Sequence, residues 1–294
     1  MSEPAIEVEG LRKSYGDFAA VRGIDFTVAR GEVFGLLGPN GAGKTTTVEI
    51  LEGYRTRSEG NVRVLGMDPQ QRSRELRERV GIVLQSTGLY RHIRVREALA
   101  HFASMYPHPR DPDEVIALVG LQGKEQAMSR TLSGGQLRRL DLALALVGDP
   151  ELIFLDEPTT GFDPAARRTA WDTIRSLREL GKTVVLTTHY LDEAQELADR
   201  VAIIKDGRIL VEGAPNQLGA ARVYRVSYLG DDGARVEYQT EDPTALLHEL
   251  PGAALARGER LQGLRVSRPT LEDVYLELTA AEPAPTPEEA LVDG

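Results

Sequence analysis

Residues Gly38, Pro39, Asn40, Gly41, Ala42, Gly43, Lys44, Thr45 and Thr46 set glycines, one lysine and hydroxyls in the G-x-x-x-x-G-K-[ST] spacing. Glycines let successive backbone N–H groups turn inward around phosphates, and a following helix adds the positive end of its dipole. Lys44 brings a full charge to the outer phosphates, and Thr45 brings a hydroxyl for Mg²⁺. A ligand-free glycine-rich turn is the alternative. The run VFGLL before the loop and TTVEILEG after it supply the strand and helix that phosphate binding requires.

A second cluster, LIFLDEP over 152–158, delivers Asp156 and Glu157 at the end of an apolar strand. Burying adjacent carboxylates without a partner is expensive, so a metal or water is implied. Asp156 is placed to hold Mg²⁺ through its water shell, and Glu157 to orient or deprotonate an attacking water. Such a pair can also cap a helix. In the third cluster, TLSGGQLRRLDLALAL from Thr131, the residues Ser133, Gly134, Gly135 and Gln136 precede a long amphipathic run. That is a second anion-binding helix start, this time without a lysine. Two different phosphate-binding starts in one chain mean either two nucleotides per chain or one nucleotide shared between two chains. A two-fold dimer would complete two identical sites at once.

The elements needed to position these clusters are those of an α/β protein. VFGLL (33–37), GIVLQ (81–85), LIFLD (152–156) and VVLTT (184–188) are nearly continuous in apolar residues, as strands of a parallel sheet buried on both faces should be. In open α/β sheets ligands bind beyond the carboxyl ends of the strands, where the phosphate loop and the carboxylate pair fall. IEVEGLRKSY and FAAVRGIDFTV imply an antiparallel piece attached to that sheet. Between Gln85 and Leu132 the amphipathic runs VREALAHFASMY and PDEVIALVGL imply a helical subdomain, and RVAIIKDGRILVEG implies a hairpin turning at Asp206-Gly207. Past Pro215 a small α+β unit is expected, with strands VYRVSYL and ARVEYQT, a helix around ALLHEL, then a strand and a last helix. Thr270 and Asp273 have capping-box spacing at the start of that helix. The proline-rich, acidic run 281–294 should be disordered.

The net charge of -10 lacks a basic stripe, which argues against nucleic acid as a partner. Without cysteine, disulfides, thiolate metal sites and a cysteine nucleophile are excluded. MSEPAIEVEG has neither the positive start nor the apolar stretch of a signal peptide, so a cytoplasmic location is expected. The longest hydrocarbon-like run, LALALV, falls far short of the roughly 20 residues that cross a bilayer. Any membrane role must come from a partner.

Over roughly residues 5 to 213 the chain resembles the ATP-binding subunit of ABC transporters, with GPNGAGKTT, LSGGQ and LIFLDE in the family's order and spacing. The resemblance implies a P-loop NTPase core with antiparallel β and helical subdomains, the latter at about 86–147, in a domain ending near 214. A small accessory domain at 215–280 would follow. It also implies ATP and Mg²⁺ as ligands, and an ATP-bound homodimer in which Ser133, Gly134 and Gly135 of one subunit close on the γ-phosphate held by Lys44 of the other.

Further positions carry over one at a time. Tyr15 matches the aromatic that stacks on adenine, although a strand tyrosine packed in the sheet fits its type equally well. Gln85 matches the glutamine that senses Mg²⁺ and the attacking water, His189 the histidine that contacts the γ-phosphate, and Asp163 the dimer-interface aspartate. Phe162 departs from the family's usual leucine, so altered interface packing is expected. The segment after Gln85, including Arg91, His92 and Arg94, would receive a short helix of a separate integral-membrane permease at the cytoplasmic face of the membrane, a solvated basic patch being the alternative. PTLEDVYLELTA resembles the C-terminal segment of the daunorubicin-resistance-type (ABC-2) exporters. Two rivals are a soluble ATPase of this family acting in translation or repair, and a regulatory ATPase whose C-terminal unit senses a ligand. The first would ordinarily show two cassettes or a long coiled-coil insertion, and neither is present.

Overall fold

The computed structural model describes residues 3–83, 92–220, 224–230, 233–267 and 270–279. Gln85, Arg91 and the acidic run 281–294 lie outside the described residues. The chain divides into two compact units, Met1–Pro215 and Asn216–Gly294.

In the first unit the order is β1 (Ile6–Tyr15), β2 (Phe18–Val28), β3 (Val33–Leu37), α1 (Lys44–Leu51), β4 (Glu59–Val64), α2 (Arg74–Arg79) and β5 (Val80–Val83). There follow α3 (Val95–Ala103), α4 (Pro112–Leu118), α5 (Gly134–Leu146), β6 (Leu152–Asp156), α6 (Pro164–Glu179), β7 (Thr183–Thr188), α7 (Leu191–Leu197), β8 (Arg200–Lys205) and β9 (Arg208–Gly213). Six strands form one sheet in the order β5-β6-β7-β3-β8-β9, parallel except for the antiparallel edge strand β9. β2, β1 and β4 form a separate antiparallel sheet.

Register does the positioning. Leu37 pairs with Thr188, and Asp156 with Thr187, so the chain leaves β3, β6 and β7 at one common edge. Gly38, Glu157 and His189 are the next residues in each case. Alternate strand residues serve two cores. Phe34, Leu36, Phe154 and Val185 pack with Ile6, Leu11, Phe26 and Ile50 of the antiparallel sheet and α1. Val33, Ile153, Leu155, Val184 and Leu186 pack with Leu99, Ile116, Leu140 and Ile174 of the helices. Burial on both faces explains the uninterrupted apolar strands. The β8–β9 hairpin turns at Asp206 (φ 49) and Gly207 (φ 76), the two left-handed residues that a tight hairpin of matching twist demands.

The second unit carries α8 (Pro215–Ala220) at its boundary, then β10 (Tyr224–Leu229), β11 (Arg235–Thr240), α9 (Pro243–Ala256), β12 (Gln262–Ser267) and α10 (Leu271–Thr279). β10 runs between β11 and β12, antiparallel to both. Its small core includes Val226, Ala254, Leu271 and Val274. The box at the start of α10 is closed both ways: Thr270 N donates to Asp273 Oδ2 at 2.7 Å and Asp273 N to Thr270 Oγ1 at 3.3 Å. The helix expected around ALLHEL continues through Pro251, where proline chemistry would favour a break.

Candidate functional site

The loop 38–43 is clamped from behind by its own chain. A Cβ at Gly38 would stand 2.2 Å from the Ile204 carbonyl oxygen, and one at Gly43, with φ +105, 2.6 Å from that of Ala20. Gly43 caps α1 with no side-chain hydrogen bond. The first-turn N–H groups of a helix have no intrahelical acceptor, so α1 presents them at the loop. Lys44 is buried, and its Nζ donates to the carbonyls of Gly38 at 2.7 Å and Pro39 at 3.1 Å. Burial pushes the Lys44 ammonium below its ordinary pKa, while the charges of Glu157 and Asp156 oppose that shift. Thr45 is exposed, whereas the Thr47 hydroxyl is turned inward onto the Gly43 carbonyl at 2.8 Å.

Asp156 ends β6, and its Oδ1 accepts a hydrogen bond from the hydroxyl of Thr187, its register partner. The Glu157 N–H donates to both the hydroxyl and the carbonyl of Thr187, each at 3.1 Å. Thus one threonine fixes both acidic residues, although nothing but its place in VVLTT draws attention to it. Glu157 holds a left-handed φ of 46, a strained conformation for a residue with a Cβ. Its Oε1 lies 3.2 Å from His189 Nδ1, and its Oε2 accepts from Thr160 Oγ1 at 3.1 Å. Neither acid caps a helix here; that is the work of Asp163, whose Oδ1 accepts from the N–H groups of Ala165 and Ala166 at the start of α6. Hard carboxylate and hydroxyl oxygens at Asp156 and Thr45 fit a Mg²⁺ ion. Among the described residues no group of three or more acidic or histidine side chains would hold a metal without further ligands.

The α5 start is built differently. Ser133 Oγ accepts from Gln136 N at 3.3 Å, and Gln136 Oε1 accepts from Ser133 N at 3.0 Å, which closes a capping box. Gln136 therefore has a structural task alongside any ligand contact. A Cβ on Gly134 would meet nothing within 4 Å, and one on Gly135 only the Ala166 Cβ at 3.7 Å. Ser133, Gly134, Gly135, Glu157, Thr160 and Asp163 line a cavity of about 570 Å³, and Lys44 does not. One chain thus brings Lys44, Asp156, Glu157 and His189 together, while the second helix start opens onto a cavity that Glu157 also lines and Lys44 does not.

Arg138 of α5 links the two halves, donating to the carbonyls of Asp156 at 3.0 Å and Pro158 at 3.4 Å. Burial lowers its pKa, with Asp141 and Asp156 opposing. Tyr15 stands at the end of β1, 41% exposed, with Lys13 Nζ 5.1 Å and Arg55 Cζ 5.6 Å from its ring centroid. It is available for stacking rather than packed into the sheet. Phe162 lines an apolar crevice with Leu142, Leu155 and Ile174, so its own chain takes up part of the larger ring.

The family model described as "ABC transporter" matches residues 21–160, a span that contains the phosphate loop, the α5 start and both carboxylates. Two curated relatives named "Nod factor export ATP-binding protein I" align over nearly the whole chain. The one from Sinorhizobium fredii is 41% identical over 96% of this chain and 88% of its own length. The chain belongs to the ABC transporter family. The other relative, from a Rhizobium species, is 40% identical over 96% of this chain and 99% of its own. Among solved structures, cbiO1 from Clostridium perfringens, part of the ABC transporter complex cbiONQ, superposes on this ABC protein with TM-score 0.68. It is 30% identical and covers 74% of this chain and 91% of its own. The ADP conformation of an ATP-binding cassette of an ABC transporter gives TM-score 0.65 at 22% identity over 74% of this chain and 93% of its own, which shows the fold. The curated relatives cover 96% of this ABC chain and so take in its C-terminal unit, whereas these solved neighbours cover 74%. No helix among the described residues is long and apolar enough to cross a membrane.

Proposed function

We propose that this chain binds and hydrolyses ATP with Mg²⁺ and drives export through a separate membrane permease, working as a dimer that closes around the nucleotide. The observation that carries the reading is the divided site: Lys44, Asp156, Glu157 and His189 converge, while Ser133 to Gly135 open onto a cavity that Glu157 lines from the other side and Lys44 does not line. A second copy would bring its open helix start to the outer phosphate, completing two sites by two-fold symmetry. The relatives' names specify export and ATP binding, and they extend over the C-terminal unit as well. Drugs, lipids or other amphipathic compounds are the cargo class that the ABC-2 resemblance supports.

In this mechanism the loop N–H groups and Lys44 hold the β- and γ-phosphates, and Tyr15 offers its exposed ring to adenine. Mg²⁺ held by Thr45 and Asp156, with Gln85 as a further ligand, would neutralise charge on the phosphate oxygens. Glu157 orients the attacking water and takes its proton; Thr187 fixes the start of that residue, and Thr160 and His189 hold its carboxylate. His189 and the partner's Ser133 start would meet the γ-phosphate from either side. Because the site is whole only in the closed dimer, ATP binding and hydrolysis become closing and opening movements, which a bound permease can use.

Glu157→Gln should keep ATP affinity, lower turnover by roughly 100-fold or more, and run as a dimer with ATP on size exclusion. Normal turnover by that variant would remove Glu157 from its role. ATP binding without dimer formation would remove the shared site.

A further inference from the structure

Helix α7 starts immediately after His189 and Tyr190, and its first-turn acid, Glu193, is completely buried. Its Oε1 accepts from Thr159 Oγ1 at 2.8 Å and from Trp171 Nε1 at 3.2 Å. Thr159 belongs to the turn between Glu157 and Asp163, whose other contacts include Thr160 Oγ1 on Glu157 Oε2 and Phe162 N on the Thr159 carbonyl. Trp171 is on α6, the helix that Asp163 caps. One carboxylate therefore touches both the catalytic turn and the Asp163 helix from a position four residues past His189.

Other contacts tighten the same connection. The Arg167 guanidinium of α6 lies 4.4 Å over the Tyr190 ring and pairs with Asp192 at 3.1 Å, and Arg175 pairs with Glu196. The Tyr190 ring in turn lies 4.1 Å from that of His189. A leucine at 193 would pack this seam without desolvating an acid, so a carboxyl there is costly unless its hydrogen bonds matter. Burial raises the Glu193 pKa, opposed by the hydroxyls of Thr188 and Thr159, the Trp171 indole and the charge of Arg167. Since Thr159 and Trp171 both donate to one oxygen, a neutral amide oxygen at 193 should serve the same bonds.

We propose that Glu193 is a positioning residue that couples His189 to Glu157 and Asp163 through Thr159 and Trp171. The inference rests on the ATPase reading above and deepens it. It also makes Trp171, the single tryptophan of the sequence, a built-in reporter of that coupling.

The test uses the full chain, with ATP affinity measured by calorimetry, turnover by phosphate release and Trp171 emission recorded with and without MgATP. In the Glu157→Gln background, MgATP should change the emission with the midpoint found by calorimetry. Glu193→Ala should bind ATP within about threefold of the parent, lose most of the emission response and lower kcat by about tenfold or more at little-changed KM. Glu193→Gln, which keeps an oxygen acceptor for Thr159 and Trp171, should restore both to within about threefold. Should Glu193→Ala fail to fold, Thr159→Val removes only the hydroxyl donor and should give the same kcat loss.

An unchanged kcat or an intact emission response in Glu193→Ala overturns the proposal, as does failure of Glu193→Gln to rescue. If Thr159→Val is the working variant, its retaining full turnover does the same. Absence of ATP binding by the parent chain would instead overturn the ATPase reading, and the coupling with it.

Discussion

The α1 and α5 starts both offer glycines and helix N–H groups to an anion, yet their glycines answer to different constraints. At α1 the constraint is internal: Gly38 and Gly43 sit against backbone oxygens of β8 and β2, and Gly43 needs a left-handed φ of 105. Lys44 is folded back onto its own loop. At α5 the helix is finished by Ser133 and Gln136, and Gly134 has open space where its side chain would be. Internal packing does not require glycine there. An approaching ligand and a second subunit would, since close backbone approach is the other reason to omit a Cβ. In the proposed shared site, one half would thus be dictated by the fold and the other by what closes on it.

The widest separation between the two starts should come from alanine in each. Gly43→Ala forces a Cβ into the Ala20 carbonyl oxygen at an unfavourable φ and should cost about 3 kcal/mol or more, lowering Tm by several degrees. Gly134→Ala should melt within about 1 °C of the parent, yet lose most ATP-driven dimerisation and turnover. Thermal scanning beside size exclusion with ATP distinguishes them. A Gly134→Ala protein that dimerises and hydrolyses normally would break the comparison. Ser133→Arg sharpens it: the monomer should bind ATP as before, while turnover falls by about 100-fold because the guanidinium fills the space reserved for the partner's nucleotide. Equal loss of monomer affinity would place Ser133 in a site within its own chain.

Much of this was legible in the sequence because the informative spacings are local. The phosphate loop, the carboxylate strand and the Asp206-Gly207 turn are set within a few residues, and the two-faced sheet follows from its continuous apolar strands. Asp163 followed by Pro164, and Ser133 followed at the third position by Gln136, also carry local signals: both are helix-start patterns. Those patterns explain what these residues do within one chain, beside the ligand roles implied by resemblance. Thr187, Arg138 and Glu193 were hidden for the opposite reason. Thr187 reaches Asp156 across 31 residues and Glu193 reaches Thr159 across 34, so only the register of β6 against β7 and the seating of α7 on α6 reveal them. A threonine at a strand end or an acid in a helix's first turn has an ordinary surface explanation until the fold buries it.

The far ends of the two helices supply the finest contrast. α5 ends at the apolar Val147, whereas α1 ends at Glu52, an acid at the negative pole of the helix dipole. Burial raises the Glu52 pKa to about 8, with the charges of Asp156 and Glu49 adding to the shift. Because the folded-state value lies above the unfolded 4.5, the folded chain holds this proton more tightly. The associated stability is full below pH about 4.5, declines as pH rises toward 8 and is gone above it. Glu52→Gln removes the titration while keeping the shape. Its gain over the parent should be about 1 kcal/mol at pH 5.5 and reach roughly 3–5 kcal/mol at pH 8.5, a Tm increase of up to about ten degrees. Melting both proteins across that window checks the sign. A gain independent of pH would assign the effect to the helix end alone, and a gain confined to low pH would mean that Glu52 is charged in the folded protein and held by a cation.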